Sequence, residues 1–222
     1  MNGDMQIRPQ ENLYHGPQYD IDDILDTIKG EVSLGKITTK RVSYSDVAQL
    51  IADRNIVAMF QGRSEAGPRA LGNRSILFDP RDPDGKDHVN IVKGREWFRP
   101  FAGTVLEEEG DEWFDLAGYG KSPFMMMAVN VAADKLKTIP CVTHVDDTCR
   151  VQTVNKEQNE HYYNLISAFR DITGVPVLFN TSFNLAGDPL VENIDNALDT
   201  LYRSQLKYLY LPELDILVTK SE

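Results

Sequence analysis

Short apolar runs of strand length alternate along this chain with amphipathic stretches of helical period, and this alternation constrains the fold more than any other feature. The predicted strands cover residues 56–60, 75–78, 103–106, 124–131, 151–154, 175–179 and a pair within 208–219. The predicted helices cover residues 20–30, 45–51, 87–92, 108–116, 158–172 and 194–203. Strands that interleave with helices, and in places follow one another directly, predict a mixed-sheet α/β or α+β domain.

Local signals predict where several of these elements begin and end. We expect Asp20 to cap the first helix and Gly30 to end it, and Ser45 to cap the second. Residues 1–19 are polar and are predicted to be a tail or linker, which leaves residues 20–222 as one domain. Residues 180–189 are predicted to be a polar loop.

Charge and cysteine content narrow the functional classes. The chain has 222 residues and a formal net charge of −11, which argues against sequence-independent binding of nucleic acid. Two cysteines, Cys141 and Cys149, favour free thiols in a reducing cytosol, with a single bridge between them as the alternative. No apolar run approaches the roughly 18 residues of a membrane span, and the N-terminus lacks the layout of a signal peptide. We therefore expect a cytoplasmic protein that does not bind membranes.

Positive charge is concentrated between residues 60 and 105 of this acidic chain. Arginine binds phosphate and carboxylate through a rigid fork of donors, and Gly67-Pro68 and Gly72-Asn73 supply turns that let backbone N–H groups approach a ligand. The segment therefore predicts an anion pocket, with phosphate as the first choice. The alternative is a set of surface arginines paired with six nearby carboxylates. The eight basic residues, of 23 in the chain, are Arg63, Arg69, Arg74, Arg81, Lys86, Lys93, Arg95 and Arg99.

Aromatic residues surround the last of these arginines. Trp97, Phe98 and Phe101 flank Arg99, which predicts a packed backbone there and a buried partner for its charge.

Two further polar segments adjoin predicted strands. Asn180-Thr181-Ser182-Phe183-Asn184 follows strand 175–179, and its short hydroxyl and amide side chains suit phosphate, a sugar hydroxyl or an adenine edge. A plain turn with local hydrogen bonds is the alternative. Arg150, with His144 shortly before it, precedes strand 151–154 and is either a ligand or an edge charge.

Several standard catalytic motifs are absent from the sequence. It has no phosphate-loop GxxxxGK[ST], no GxGxxG and no nucleophile elbow GxSxG. The four histidines occur without HExxH or a CxxC partner, so we expect no metal site in this chain. Residues 125–127, three methionines in a row, are interpreted as core packing rather than a soft metal site.

Four segments resemble a known family in order and spacing. They read GRSEAGPRALGNRSILFDPR, VKGREWFRPFAGTVL, HVDDTCRVQTV and PVLFNTSFNLAGDPLV. They resemble the C-terminal domain of the O-carbamoyltransferases of nodulation and antibiotic biosynthesis, over about residues 16–219. The resemblance implies a YrdC-like fold, a twisted open sheet with flanking helices and a concave basic face. It also implies that this half of the enzyme forms carbamoyl-adenylate from ATP and carbamoyl phosphate, with Mg²⁺ accompanying the nucleotide.

The resemblance assigns roles to individual residues. It implies that Lys93, Arg99 and Arg150 take part in catalysis. The substrate-binding set that we predict adds neighbours from the same loops: Arg69, Arg74, Lys93, Arg99, His144, Arg150, Asn180, Thr181, Ser182 and Asn184. The chain departs from the family at Ser64-Glu65-Ala66, where a bulky pair is usual, and at Cys149, where a small residue is usual.

A second domain of the family has no counterpart here. Family members carry an actin-like, iron-binding domain where the carbamoyl group reaches an acceptor hydroxyl, so we expect a stand-alone half, a split gene product or an excised segment. The expected partners are ATP, carbamoyl phosphate and a separate actin-like domain, with a homo-oligomer as a further option. The alternatives are a non-catalytic nucleotide- or carbamoyl-phosphate-binding subunit of a split carbamoyltransferase and an RNA-binding YrdC-like module, which the net charge disfavours.

Overall fold

A computed structural model describes residues 10–221 of the chain. The described residues form one nine-stranded open sheet with the strand order β1-β9-β8-β2-β3-β7-β4-β6-β5. The pairs β2–β8 and β4–β6 are parallel and the other pairs are antiparallel, so the predicted mixed sheet is confirmed. The strands are β1 Ile37–Arg41, β2 Val57–Phe60, β3 Arg74–Phe78, β4 Ala102–Leu106, β5 Met127–Asn130, β6 Thr148–Val154, β7 Val177–Ser182, β8 Tyr208–Leu211 and β9 Ile216–Lys220.

Helices flank this sheet and cover its apolar strands. Strands β2, β3 and β4 are buried along their whole length, including the polar residues Arg74, Ser75 and Thr104. The helices α2 and α5 pack against each other and bury Val47, Ile51, Leu165 and Phe169. The α-helices are α1 Ile21–Ser33, α2 Tyr44–Ala52, α3 Gly85–Lys93, α4 Gly110–Trp113, α5 Glu160–Thr173 and α6 Ile194–Arg203.

The predicted helix boundaries are partly right. Asp20 caps α1 as expected, but α1 continues through Gly30 to Ser33. Beyond the glycine, the carboxylate of Glu31 accepts from the Tyr202 hydroxyl of α6 at 2.6 Å, a tertiary contact that supports the last turn. The cap of α2 is Ser43 rather than Ser45, because the Ser43 hydroxyl accepts from the Asp46 N–H while the Asp46 carboxylate accepts from the Ser43 N–H, a capping box.

Strand pairing moves three predicted boundaries. β5 begins at Met127 rather than residue 124, since Met125 has a φ of 53° that a strand does not accommodate. β6 begins at Thr148, three residues before the predicted start at residue 151, because Thr148 pairs with Asn130 at the end of β5. β7 continues through residues 180–182, which were predicted to be loop, because they pair with β3.

The predicted tail is only partly testable, because residues 1–9 lie outside the described part, whereas residues 10–19 lack helix and strand. Cys141 and Cys149 are buried and free, so they form no bridge with each other. Within residues 10–221 no helix is long and apolar enough to cross a membrane.

Candidate functional site

A cavity of about 800 Å³ opens where β4 and β6 begin and β7 ends. Its wall comes from five separate parts of the sequence: residues 68–70, residues 93–100, Met125, Arg150, and residues 180–187. Within the described part of the chain, Glu96 is the only carboxylate of the wall. Five cationic side chains share this wall with it: Arg69, Lys93, Arg95, Arg99 and Arg150.

The register of three neighbouring strands sets the floor of the cavity. Ala102 of β4 pairs with Asn180 of β7 on one side and with Arg150 of β6 on the other. Residues that pair across a sheet point to the same face, so Asn180 and Arg150 share a face with a methyl group between them. The small side chain of Ala102 packs with Leu71 and Met125 in the row between the amide and the guanidinium.

Four polar atoms of the wall are buried without a hydrogen-bond partner. They are the Nε atoms of Arg69, Arg95 and Arg150, and Oδ1 of Asn180. Ten such side-chain atoms occur among the described residues, so this one cavity holds a large share of them. A buried polar atom that lacks a partner destabilises the protein by about 1–3 kcal/mol, and each case therefore requires an explanation. Their concentration on one wall indicates a site for a polar ligand.

The guanidinium groups repel one another across the cavity. Burial lowers the pKa of Arg150, and the charges of Arg69 and Arg95 lower it further. Burial likewise lowers the pKa of Arg95, with the charge of Arg99 adding to the effect. An anion placed among these groups would relieve the repulsion and replace the lost hydration.

Lys93 is the last residue of α3 and is buried in the wall. Its Nζ donates to the backbone oxygen of Ser182 and to Oδ1 of Asn184, at 3.1 Å in the second case. These acceptors are neutral, and burial together with the nearby Arg95 charge lowers the pKa of Lys93 to about 7. An anionic ligand would therefore stabilise the protonated form of Lys93.

Arg95 is a wall residue outside the predicted set of ligands. Gly94 ends α3 in the left-handed region with a φ of 63°, and the turn brings Arg95 to the same cavity as Lys93. Its Nη1 lies 3.5 Å from Oγ1 of Thr181, and its guanidinium carbon lies 5.1 Å from the centre of the Phe101 ring. A lysine and an arginine separated by one glycine at a helix end were the signal available in the sequence.

Eight of the ten predicted ligands line the cavity, and two do not. Arg74 is fully buried in β3, where its guanidinium donates to the backbone oxygens of Gln61, Gly62 and Glu192. Its guanidinium carbon also lies 3.8 Å from the centre of the Phe60 ring. Because these donors are used by the protein itself, Arg74 supports the fold behind the wall.

His144 also lies outside the cavity wall. Its ring nitrogens contact the backbone oxygen of Phe101 at 2.9 Å and the hydroxyl of Thr148 at 3.0 Å. The ring therefore connects the loop before β6 to the start of β4.

The prediction of a packed environment for Arg99 is wrong. Trp97 and Phe98 are 74% and 63% exposed, and they contact each other edge to face at the surface. Arg99 is itself half exposed, and its Nε donates to the equally exposed Glu96 at 2.7 Å. A surface pair of this kind contributes little to stability, so Arg99 is free to reorient toward a ligand at small cost.

The described residues bring together no group of three or more His, Cys, Asp or Glu side chains that would suit a metal ion. The wall of the cavity, with five cations and one carboxylate, does not suit a Mg²⁺ ion held by the protein alone.

Most of the chain is similar in sequence to known proteins. A family described as Carbamoyltransferase C-terminus matches residues 48–220. The nodulation protein NolNO of Sinorhizobium fredii is 49% identical over 164 residues, which are 73% of this chain and 24% of NolNO. NolO of Bradyrhizobium diazoefficiens is 44% identical over 164 residues, which are 73% of this chain and 30% of NolO. The chain thus spans less than a third of the length of either relative.

Two solved structures resemble the fold. P. abyssi Sua5 complexed with L-threonine has a TM-score of 0.55 and 14% identity, over 76% of this chain and 46% of Sua5. Full-length HypF in the phosphate- and nucleotide-bound form has a TM-score of 0.50 and 16% identity, over 83% of this chain and 22% of HypF. At these identities the likeness concerns the fold alone, and it confirms the predicted YrdC-like sheet with flanking helices.

Proposed function

The chain belongs to the Carbamoyltransferase C-terminus family, and we propose that it binds ATP and carbamoyl phosphate in this cavity and joins them as carbamoyl-adenylate. The observation that carries the proposal is the set of three buried arginine Nε atoms without partners, beside one unpartnered amide oxygen. Three donors from cationic groups match phosphate oxygens. The amide oxygen matches a ligand N–H.

The charges of the wall suit two anionic substrates. Carbamoyl phosphate and the triphosphate of ATP repel each other, and bringing them together costs several kcal/mol unless cations offset the repulsion. The wall supplies five cations against one carboxylate. The same groups would stabilise the charge that grows on the phosphate oxygens in the transition state.

Asn180 suits the carbamoyl end of the substrate. Its Nδ2 is hydrogen-bonded within the protein, because it donates to the backbone oxygen of Ala70 at 3.2 Å and to Oγ1 of Thr104 at 3.1 Å. Its Oδ1 has no protein partner and can accept from the NH₂ group of a carbamoyl moiety. This acceptor would favour carbamoyl phosphate over fully ionised phosphate groups, which offer no donor.

The proposed reaction has two steps and needs no protein nucleophile. Water attacks the phosphorus of carbamoyl phosphate, the bond from phosphorus to the carbamoyl oxygen breaks, and inorganic phosphate leaves. The carbamate oxygen then attacks the α-phosphorus of ATP, and pyrophosphate leaves with the electrons of the broken P–O bond. One carbamoyl phosphate, one ATP and one water thus yield carbamoyl-adenylate, pyrophosphate and phosphate.

The residues of the wall also indicate how Mg²⁺ would enter the site. Mg²⁺ would arrive on the phosphates of ATP, where it neutralises charge, because the wall residues do not fit a protein-held ion. We place the transfer to an acceptor hydroxyl in a separate actin-like, iron-binding domain.

Product analysis tests the proposal. The protein is incubated with MgATP and carbamoyl phosphate, and phosphate, pyrophosphate and AMP are measured. We expect slow release of all three, because free carbamoyl-adenylate is hydrolysed, and we expect no carbamoylated alcohol. Binding of both substrates by calorimetry without pyrophosphate release would favour the non-catalytic subunit. Retention on immobilised tRNA at physiological salt would favour the RNA-binding module.

Reconstitution tests the division of labour. A separately expressed actin-like partner, added with an acceptor alcohol, is expected to yield the carbamoylated alcohol. Carbamoylation of the alcohol by this chain alone would contradict the need for a partner.

A further inference from the structure

Residues 13–16 lie along the loop that carries Arg69. We call residues 13–16 the strap and residues 64–71 the arginine loop. The Ala66 N–H donates to the Leu13 oxygen at 2.7 Å, and the Gly16 N–H donates to the Ser64 oxygen at 3.0 Å. The strap therefore forms backbone hydrogen bonds with the first arm of the arginine loop.

The strap also binds the second arm of the same loop. The Tyr14 hydroxyl donates to the Leu71 oxygen at 2.9 Å and accepts from Nδ2 of Asn159 at 3.1 Å. Burial raises the pKa of this hydroxyl, so it remains a donor. The Leu13 and Tyr14 side chains pack against the small cluster of Leu71, Ala102 and Met125.

The part of the loop between these two arms faces the cavity. Pro68, Arg69 and Ala70 belong to the cavity wall, and the Nε of Arg69 is one of the buried donors without a partner. Gly67 before them has a φ of 105°, which glycine adopts without steric cost, and because it lacks a Cβ it restricts the backbone of this stretch little. The direction of the Arg69 side chain thus depends on the two arms being held.

The fit of the strap is close at Gly16. A Cβ atom on Gly16 would lie 2.0 Å from Oγ and 3.0 Å from the backbone nitrogen of Ser64. Ser64 cannot move away freely, because its hydroxyl donates to Glu192 at 2.7 Å. Any side chain at position 16 would therefore displace the strap from the arginine loop.

We propose that the strap positions Arg69 for anion binding, with Tyr14 and Gly16 as positioning residues. The inference rests on the proposed function only in that the cavity must bind phosphate groups. The strap lies outside residues 48–220, which the family match covers, so that match assigns it no role.

Pyrophosphate binding by calorimetry tests the proposal with a matched pair of glycine substitutions. We expect Gly16→Ala to weaken binding about tenfold, a change equal to about 1.4 kcal/mol. The control is Gly30→Ala in α1, where an added Cβ meets nothing within 4 Å, and its affinity should equal that of the wild type. Circular dichroism and thermal unfolding check that both variants fold.

A second pair keeps the test valid if Gly16→Ala does not fold. Tyr14→Phe retains the ring but loses both hydroxyl hydrogen bonds, and we expect about fivefold weaker pyrophosphate binding, the size of one net hydrogen bond. Tyr119→Phe, at a 71% exposed tyrosine, is the control and should bind normally. Hydrogen exchange in a peptide spanning residues 64–73 should accelerate in Tyr14→Phe and not in Tyr119→Phe.

A double-substitution cycle separates positioning from general destabilisation. In an Arg69→Ala background, Gly16→Ala should have no further effect on pyrophosphate affinity, because the group that the strap positions is gone. An equal loss in both backgrounds would overturn the proposal, as would wild-type affinity in both Gly16→Ala and Tyr14→Phe. Failure of the unmodified chain to bind pyrophosphate would instead contradict the proposed function and with it this use of the strap.

Discussion

Nζ of Lys93, at the end of α3, lies 3.1 Å from Oδ1 of Asn184, just beyond β7. The contact joins two segments that are 91 residues apart in the sequence and places the lysine among neutral oxygens. Burial and the charge of Arg95 lower the pKa of Lys93 to about 7. The charge of the cavity therefore changes with pH near neutrality.

Anion affinity should fall as the pH rises through this value. Lys93 is mostly protonated below about pH 7 and mostly neutral above it. We expect sulfate, whose own charge is constant in this range, to bind more weakly at pH 8.5 than at about pH 6. Lys93→Met should remove this dependence, whereas Lys40→Met, on the exposed edge strand β1, should retain it. A wild-type affinity that is independent of pH would contradict the assignment.

Lys93 also affects stability: its contribution to the free energy of unfolding should rise with pH, whereas anion affinity should fall. In the unfolded chain Lys93 retains its proton up to a pKa near 10.5, but in the folded protein it loses the proton above about 7. Because the unfolded state binds more protons in this window, the contribution of Lys93 to the free energy of unfolding rises with pH across it. Urea titrations at several pH values, compared between wild type and Lys93→Met, measure this contribution. If the free energy of unfolding rose more steeply with pH in Lys93→Met than in the wild type, this role of Lys93 would be refuted.

Arg150→Ala should nearly abolish pyrophosphate release while the protein stays folded. The substitution removes one buried, charge-assisted contact to phosphate, which contributes about 1.5–3 kcal/mol in binding and more in the transition state. Arg41→Ala, at an arginine whose side chain is 85% exposed on β1, is the control. Unchanged pyrophosphate release in Arg150→Ala would remove Arg150 from the site.

Arg95→Ala should weaken binding of carbamoyl phosphate as strongly as Arg150→Ala. Both guanidinium groups have a buried Nε without a partner, so both are expected to donate to the ligand. Arg95→Lys should restore only part of the affinity, because an ammonium group lacks the planar fork. Calorimetry measures both variants, and normal affinity in Arg95→Ala would show that this residue only shapes the wall.

Gly72→Ala should destabilise the protein by at least about 2 kcal/mol. Gly72 has a φ of 106°, and an added Cβ would lie 2.2 Å from the ring of Tyr162, which is fully buried. Thermal and urea unfolding provide the measurement, with Gly30→Ala as the control. A wild-type melting temperature in Gly72→Ala would contradict the close packing of this turn.

Purified protein should contain no stoichiometric iron or zinc. The prediction follows from the scattered histidines and from the lack of a suitable cluster among residues 10–221. Elemental analysis is the measurement. One tightly bound transition metal per chain would overturn it.

Residue patterns alone were enough to predict the fold class, the family and the loops that meet at the site. Periodicity is a local property, so strands and helices were predicted largely in the right places, and every wall residue of the cavity except Met125 belongs to one of the four motifs. Strand ends were less certain, because the polar residues 180–182 join β7 only through pairing with β3.

Which of the cations line the cavity could be seen only from the packing of the folded chain. Arg69 and Arg74 belong to one motif, yet Arg69 lines the cavity while Arg74 donates to backbone oxygens behind it. Arg95 joins the wall through the turn at Gly94, and the strap reaches the arginine loop from some 50 residues away in sequence. Such contacts depend on strand register and on long-range packing, which local residue patterns do not encode. The residue types thus identified an anion site, and the packing determined which of them form it.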